Sequence, residues 1–387
     1  ALYSNITGTY NVALGDQALV YAGDGTASPT GSVAIGYQAG KYPEGNYNTW
    51  VGYSTGRGAT ATRTSNLNTA VGQEAMASTL SDTENVAIGA AALEVSTASH
   101  LNVAIGRGAM RSATASNRNV AIGYYAMHKF TQTSNRNNTA IGFYAMKEIE
   151  TGSHNTALGN EAMYGVTGDE NNYNTAVGDK ALYAIDGGDY NVAVGATAGY
   201  ENTTGQNNVY VGYYAGEGGT TAEGSVAIGK EAGRLNLTGN SNTSVGMQAL
   251  YSTTKGTNTA IGVQAGYANS TGTGNVFLGY FAGKDATATD SNKLFIANAV
   301  GTPLIGGDFS TPQIDLNGAV EVGGTLQRTD GSLFKIESNH AMDIVIDGDA
   351  ASPAENLDIK YGSGESGKFR FSYDGQLGVG TTSITSG

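Results

Sequence analysis

Asn155-Thr156-Ala157-Leu158-Gly159 and Asn258-Thr259-Ala260-Ile261-Gly262 are two copies of one phrase, and that phrase decides the architecture. Its glycine, always preceded by an aliphatic residue, recurs at Gly15, Gly36, Gly52, Gly72, Gly89, Gly106, Gly123 and Gly142. It continues at Gly159, Gly178, Gly195, Gly212, Gly229, Gly246, Gly262 and Gly279, sixteen copies in all. The commonest step is seventeen residues; longer steps, such as Gly15 to Gly36 and Gly52 to Gly72, place insertions in loops on one side of the unit. After each glycine come two variable residues, an alanine in all copies but one (Thr55), and then Leu, Met or Gly. β-Branched residues at alternate positions, bounded by Asn and Gly, predict a short strand rather than a helix. A unit this short cannot bury itself. Each coil must stack on the next, at about 4.8 Å per step, so the sequence predicts an all-β chain built as a parallel β-roll or β-solenoid of about sixteen coils.

Composition agrees with a special architecture. The 58 glycines and 14% charged residues are unusual for globular packing, while five prolines without a Gly-X-Y period exclude collagen. The 40% hydrophobic content and 23 tyrosines argue against a disordered chain. With no cysteine, neither disulfides nor thiolate metal sites are available. A net charge of -13 disfavours non-specific binding to nucleic acid or anionic membranes, and no apolar run is long enough to insert into a bilayer as a helix. No nucleic-acid partner and no membrane insertion are therefore expected.

Both faces of the predicted strand are apolar. Val103 and Ile105 project one way, and Ala104 and Gly106 the other. A parallel strand of this kind needs cover on both sides. One face should fill the coil and the other meet a second subunit; the alternative is a single-chain roll whose Ala and Gly face packs on its own opposite sheet. Asn stands before the strand in most copies, as at Asn68, Asn85, Asn102 and Asn119, with Ser32 and Ser225 as substitutes. Stacked asparagines can form a hydrogen-bonded ladder, a structural reading preferred here to a binding row. Trp50, Tyr210 and Phe277 replace the usual Ala, each followed six residues later by Gly56, Gly216 or Gly283, a pattern that suggests volume compensation.

Repeats such as Ser32-Val33-Ala34-Ile35-Gly36 and Ser225-Val226-Ala227-Ile228-Gly229 resemble the head repeats of trimeric autotransporter adhesins. The longer unit, with its Thr203-Thr204-Gly205-Gln206-Asn207-Asn208 link, looks more like repeats of bacteriophage tail fibres. Asn292 to Asn298 and Pro303 to Phe309 strengthen that second resemblance, because such fibres often place a segment of this kind after their repeats. The resemblance implies a left-handed, trimeric roll and a fibre of a phage virion that presents surfaces to a host cell. The partners implied are the chain itself as a homotrimer, a host surface glycan or protein receptor, and other virion proteins. The location implied is the virion or an extracellular surface. A bacterial trimeric surface adhesin and a tailspike-type polysaccharide depolymerase are the alternatives. Leu377-Gly378-Val379-Gly380-Thr381-Thr382-Ser383 looks like the phrase that leads into a C-terminal self-trimming chaperone. Ala1-Leu2-Tyr3 matches the tail of a repeat. The unprocessed product is therefore expected to extend beyond both ends.

The organisation expected is a shaft over 1–290, a connecting segment over 291–324 and a small all-β stalk or tip module over 325–387. In the last, Leu333-Phe334-Lys335-Ile336, Ile344-Val345-Ile346, Leu357-Asp358-Ile359 and Phe369-Arg370-Phe371 read as antiparallel strands, with a turn at Asp374-Gly375.

Candidate sites are few. His100, His128, His154 and His340 are scattered without zinc or triad spacing and read as loop residues. Asp347-Gly348-Asp349 lacks the rest of a calcium motif. No catalytic, cofactor or metal residues are assigned, and no enzymatic activity is expected. The two variable residues after each glycine read as outward. Where they are aromatic, at Tyr124, Tyr125, Phe143, Tyr144, Tyr213, Tyr214, Tyr280 and Phe281, they could stack on a ligand or cover a neighbouring chain or coil.

Overall fold

The repeat glycine sets where each strand stops. From Gly15 to Gly279 every repeat glycine has φ between 116° and 145°, so the strand before it ends after three residues. The computed structural model describes residues 7–20, 29–42, 45–58, 65–131, 136–166, 170–311 and 313–318, with the backbone of Leu357–Lys360, Lys368–Phe371 and Leu377–Val379. The chain divides into two units, Ala1–Val320 and Glu321–Gly387. No helix occurs among the described residues.

In the first unit, sixteen three-residue strands run from Val12–Leu14 to Val276–Leu278 as one parallel stack. Equivalent residues sit directly over one another, as in Val103 over Val120, Ala104 over Ala121 and Ile105 over Ile122. The fold is the expected parallel β-solenoid. The segment read from sequence as a connector contributes one more rung: Lys293–Ile296 pairs parallel with Val276–Leu278. The chain then reverses, and Ile305–Asp308 and Gln313–Leu316 add antiparallel strands.

After the glycine, the second and fourth residues also adopt the left-handed region, as in Glu74 (φ 57°) and Met76 (φ 51°). For side-chain-bearing residues this costs on the order of 1–3 kcal/mol each unless the surroundings impose it. Stacking imposes it. The Glu74 N–H donates back to Tyr53 O at 2.8 Å, and the Met76 N–H donates forward to Ala92 O at 3.0 Å. One turn thus hydrogen-bonds to the coils on both of its sides.

The core is narrow because its columns are small. Ala70, Ala87, Ala104 and Ala121 at the strand centre, and Ala75, Ala92, Ala109 and Ala126 in the turn, are fully buried. Leu and Met side chains four residues after the repeat glycine close the coil. The Ala face is therefore the interior one, and Val103 and Ile105 point away from it, half-buried. Beside the alanines runs the asparagine ladder. Asn102 Nδ2 donates to Asn85 Oδ1 (3.1 Å) and Ser116 O (2.7 Å), and its own Oδ1 accepts from the Asn119 N–H at 2.9 Å. The side-chain links run unbroken from Asn48 to Asn208 and resume from Asn242 to Asn275.

Trp50, Tyr210 and Phe277 are buried in the alanine column, and the suggested compensation is present. A β-carbon on Gly56, Gly216 or Gly283 would stand inside contact distance of the ring six residues before it. Each ring also needs a glycine in the preceding coil. Gly40 faces Trp50 at 2.7 Å, Gly199 faces Tyr210 at 2.7 Å and Gly266 faces Phe277 at 2.6 Å from a would-be β-carbon.

In the second unit, Leu357–Lys360, Lys368–Phe371 and Leu377–Val379 form an antiparallel sheet, with Leu357 opposite Phe371 and Phe371 opposite Leu377. Two of the strands read from sequence are among these. The segments 333–336 and 344–346, Asp347-Gly348-Asp349, the Asp374-Gly375 turn, His340 and both chain ends lie outside the described residues.

Candidate ligand-contact surface

In-register stacking turns every repeat position into a column, so surface side chains 16–21 residues apart become neighbours. The eight aromatic residues singled out from sequence fall into three groups along two such columns. Tyr124 stacks on Phe143 with centroids 5.2 Å apart and planes 7° apart. Tyr125 meets Tyr124 edge-on at 4.5 Å, and Tyr144 lies 4.0 Å from Phe143. Tyr213 and Tyr214 form a second group at 4.0 Å, and Tyr280 and Phe281 a third at 3.9 Å.

The first ring of each pair is exposed, from 37% at Tyr124 to 51% at Tyr280. The second is not outward as expected. Tyr125, Tyr144, Tyr214 and Phe281 are half-buried, because their left-handed backbone lays the side chain along the turn. There three of them receive a cation: Lys147 Nζ is 4.6 Å from the Tyr144 centroid, the Arg234 guanidinium 4.5 Å from Tyr214, and Lys284 Nζ 4.4 Å from Phe281. A ring held this way has one face engaged within the chain. Each stacked pair likewise hides one face per ring, which leaves the opposite face, the edges and, on tyrosine, the hydroxyl as the outward chemistry.

Two further columns were not singled out from sequence. Five residues after the repeat glycine stand Glu94, Arg111, His128, Lys147, Tyr164, Tyr183, Tyr200, Glu217, Arg234 and Tyr251 in turn. Arg111 pairs with Glu94 and Arg234 with Glu217, each at 2.5 Å. Tyr183 stacks on Tyr164 at 5.0 Å and on Tyr200 at 4.9 Å. The second column precedes the asparagine: His154 stacks on Tyr173 (4.7 Å, 6°), and Tyr173 on Tyr190 (5.1 Å, 5°). Aligning the repeats on their glycines exposes both columns.

Charge concentrates around Glu148, which Lys129 reaches at 2.5 Å and Lys147 at 2.8 Å, with the Tyr164 hydroxyl donating at 3.2 Å. Burial opposes ionisation of Glu148, but hydrogen bonds from Lys129 and Lys147 outweigh it and bring the carboxyl down to about 2. His128 is not a free loop residue. It packs against Tyr125 at 4.7 Å, and burial, then Arg111, lower its pKa. His100 is also engaged, through Thr83 Oγ1 at 2.8 Å.

A third exposed feature is apolar. The last strand residue stays open in coil after coil: Ile88 is 39% exposed, Leu158 45%, Ile261 43% and Leu278 41%. Among the described residues, no three His, Cys, Asp or Glu side chains gather as a metal site would require. No family model, curated protein or solved structure matches the chain.

Proposed function

We propose that this chain is the shaft of a homotrimeric phage fibre that presents receptor-contact surfaces to a host cell and acts mechanically and adhesively rather than as an enzyme. One observation carries the reading. A continuous parallel stack leaves a lengthwise column of Val, Ile and Leu half exposed on the strand's outer face. Two further copies of the chain cover that column and stiffen a coil that is thin by itself, while the columns beyond it stay free for a glycan or protein receptor. Repetition of one surface along three chains gives multivalent attachment, which raises avidity without strengthening any single contact.

Light scattering on the purified chain tests this. A trimeric mass supports the reading, and a monomeric mass refutes it. Imaging adds a length: sixteen coils at about 4.8 Å give a shaft of roughly 75 Å. Release of sugars from a host polysaccharide would move the reading to a tailspike-type depolymerase. A membrane β-barrel anchor encoded in the same frame would move it to a bacterial surface adhesin.

A further inference from the structure

Seven coils carry Gly where Leu or Met usually closes the core, and six of these glycines make room for an aromatic ring. Gly233 does not. A β-carbon there would meet only Ser244 Oγ at 3.2 Å and Ala227 Cβ at 3.4 Å. Ser244 stands where every other coil has Ala or a ring. Ser225 in the same region replaces the ladder asparagine, so the side-chain amide links stop at Asn208 and restart at Asn242. The apolar core divides here as well, one cluster reaching Ala232 and the next starting at Ala249.

These departures enclose a cavity of about 10 Å³ bordered by Tyr210, Gly219, Ser225, Gly233 and Ser244, among others. That is the lower limit for one water molecule. The Tyr210 hydroxyl, on a residue only 2% exposed, has no hydrogen-bond partner among the described residues, and it lies beside Gly219, which borders the cavity. The two serine hydroxyls already donate, Ser225 Oγ to Gly239 O at 3.2 Å and Ser244 Oγ to Val226 O at 3.0 Å. Each therefore keeps a lone pair to offer.

We infer that this cavity is a binding site for a single buried water, which accepts from the Tyr210 hydroxyl and donates to Ser225 and Ser244. The water takes the place of the apolar contact that elsewhere joins one coil's core to the next. Among the described residues, the two apolar core clusters thus meet at this layer.

Tyr210→Phe tests the assignment in the full chain, because Phe277 shows that the same column accepts a phenylalanine ring. A water-bonded hydroxyl makes Tyr210→Phe melt lower than the parent. It also makes Tyr210→Phe and Ser244→Ala non-additive, since both act through one molecule. A raised or unchanged Tm for Tyr210→Phe overturns the site, because deleting an unsatisfied buried hydroxyl does not destabilise. Strict additivity overturns it equally. A crystal structure showing density for a water between Tyr210 and the serines supports it, and an empty cavity at a resolution that orders other buried waters overturns it.

Discussion

Gly216 supplies the space that the Tyr210 ring occupies: a β-carbon on Gly216 would fall within the ring's contact radius. Gly233, one coil on, has the same left-handed backbone, φ 55° against 58°, but a β-carbon there would come no closer than 3.2 Å to a neighbour, against 2.2 Å at Gly216. Any conformational cost of adding a methyl group is therefore common to both positions. Gly216→Ala should cost about 1–3 kcal/mol more than Gly233→Ala, the usual range for overpacking. Paired thermal melts measure the difference, and equal losses would remove the ring as its cause.

Asn102 holds two neighbours at once. Replacing it with Ala strands the buried Asn119 N–H, at about 1–3 kcal/mol, and leaves the Ser116 carbonyl only its longer bond from the His100 N–H at 3.3 Å. Asn102→Ser should be milder, because Ser225 accepts a ladder N–H from Asn242 in the same way. Denaturant midpoints of the two variants give the order, Ala below Ser below the parent.

Gly178 and Lys180 lie in one turn and should respond oppositely. A β-carbon on Gly178 (φ 137°) would stand 2.5 Å from the Gly195 carbonyl oxygen, so Gly178→Val separates two coils. Lys180 pairs with Glu161 at 3.6 Å, partly exposed, a contact worth about 0–1 kcal/mol. Gly178→Val should abolish soluble, folded protein while Lys180→Ala melts near the parent temperature. The cause differs from the sequence expectation, which placed Gly178 in a small-residue face; the obstacle is the next coil's backbone.

Such differences mark what the sequence could show. The coil, its strand, the asparagine ladder and the Gly56, Gly216 and Gly283 partners of the rings were legible, because each depends on spacing within one repeat. The roles of Gly40, Gly199 and Gly266 were not, since their rings belong to the following coil and the contact appears only once register is set. The left-handed backbone at Met76 or Tyr144 carries no sequence mark either: the hydrogen bonds of adjacent coils impose it. For the same reason the outward reading held for Tyr124 and Phe143 but not for Tyr125 and Tyr144.

Two groups make the shaft sensitive to acid over different ranges. His128 resists protonation when folded, so the unfolded chain takes up the proton first, and stability present at neutral pH declines as pH falls below about 6.5. Glu148 holds its charge down to about 2 against an ordinary 4.5, so its contribution is complete above 4.5 and is lost on acidification toward 2. Melting temperature against pH should lose its upper slope in His128→Gln and its lower slope in Glu148→Gln. A parent profile flat from pH 7 to 3 would contradict both assignments.

Ile261 decides between a lone coil and an assembly. It is 43% exposed in one chain, on the strand face turned away from the buried Ala260. If that face meets water, Ile261→Asp is a surface change, and such changes usually stay within about 0.5 kcal/mol. If it meets copies of the chain, the same carboxylate is buried without a partner, and symmetry repeats the penalty in every subunit. Trimerisation predicts the second outcome. Ile261→Asp should then reduce the mass by light scattering from three chains toward one, and lower the melting temperature far more than a surface change does. A parent trimer that keeps its mass and stability through Ile261→Asp would place the subunit interface on another column.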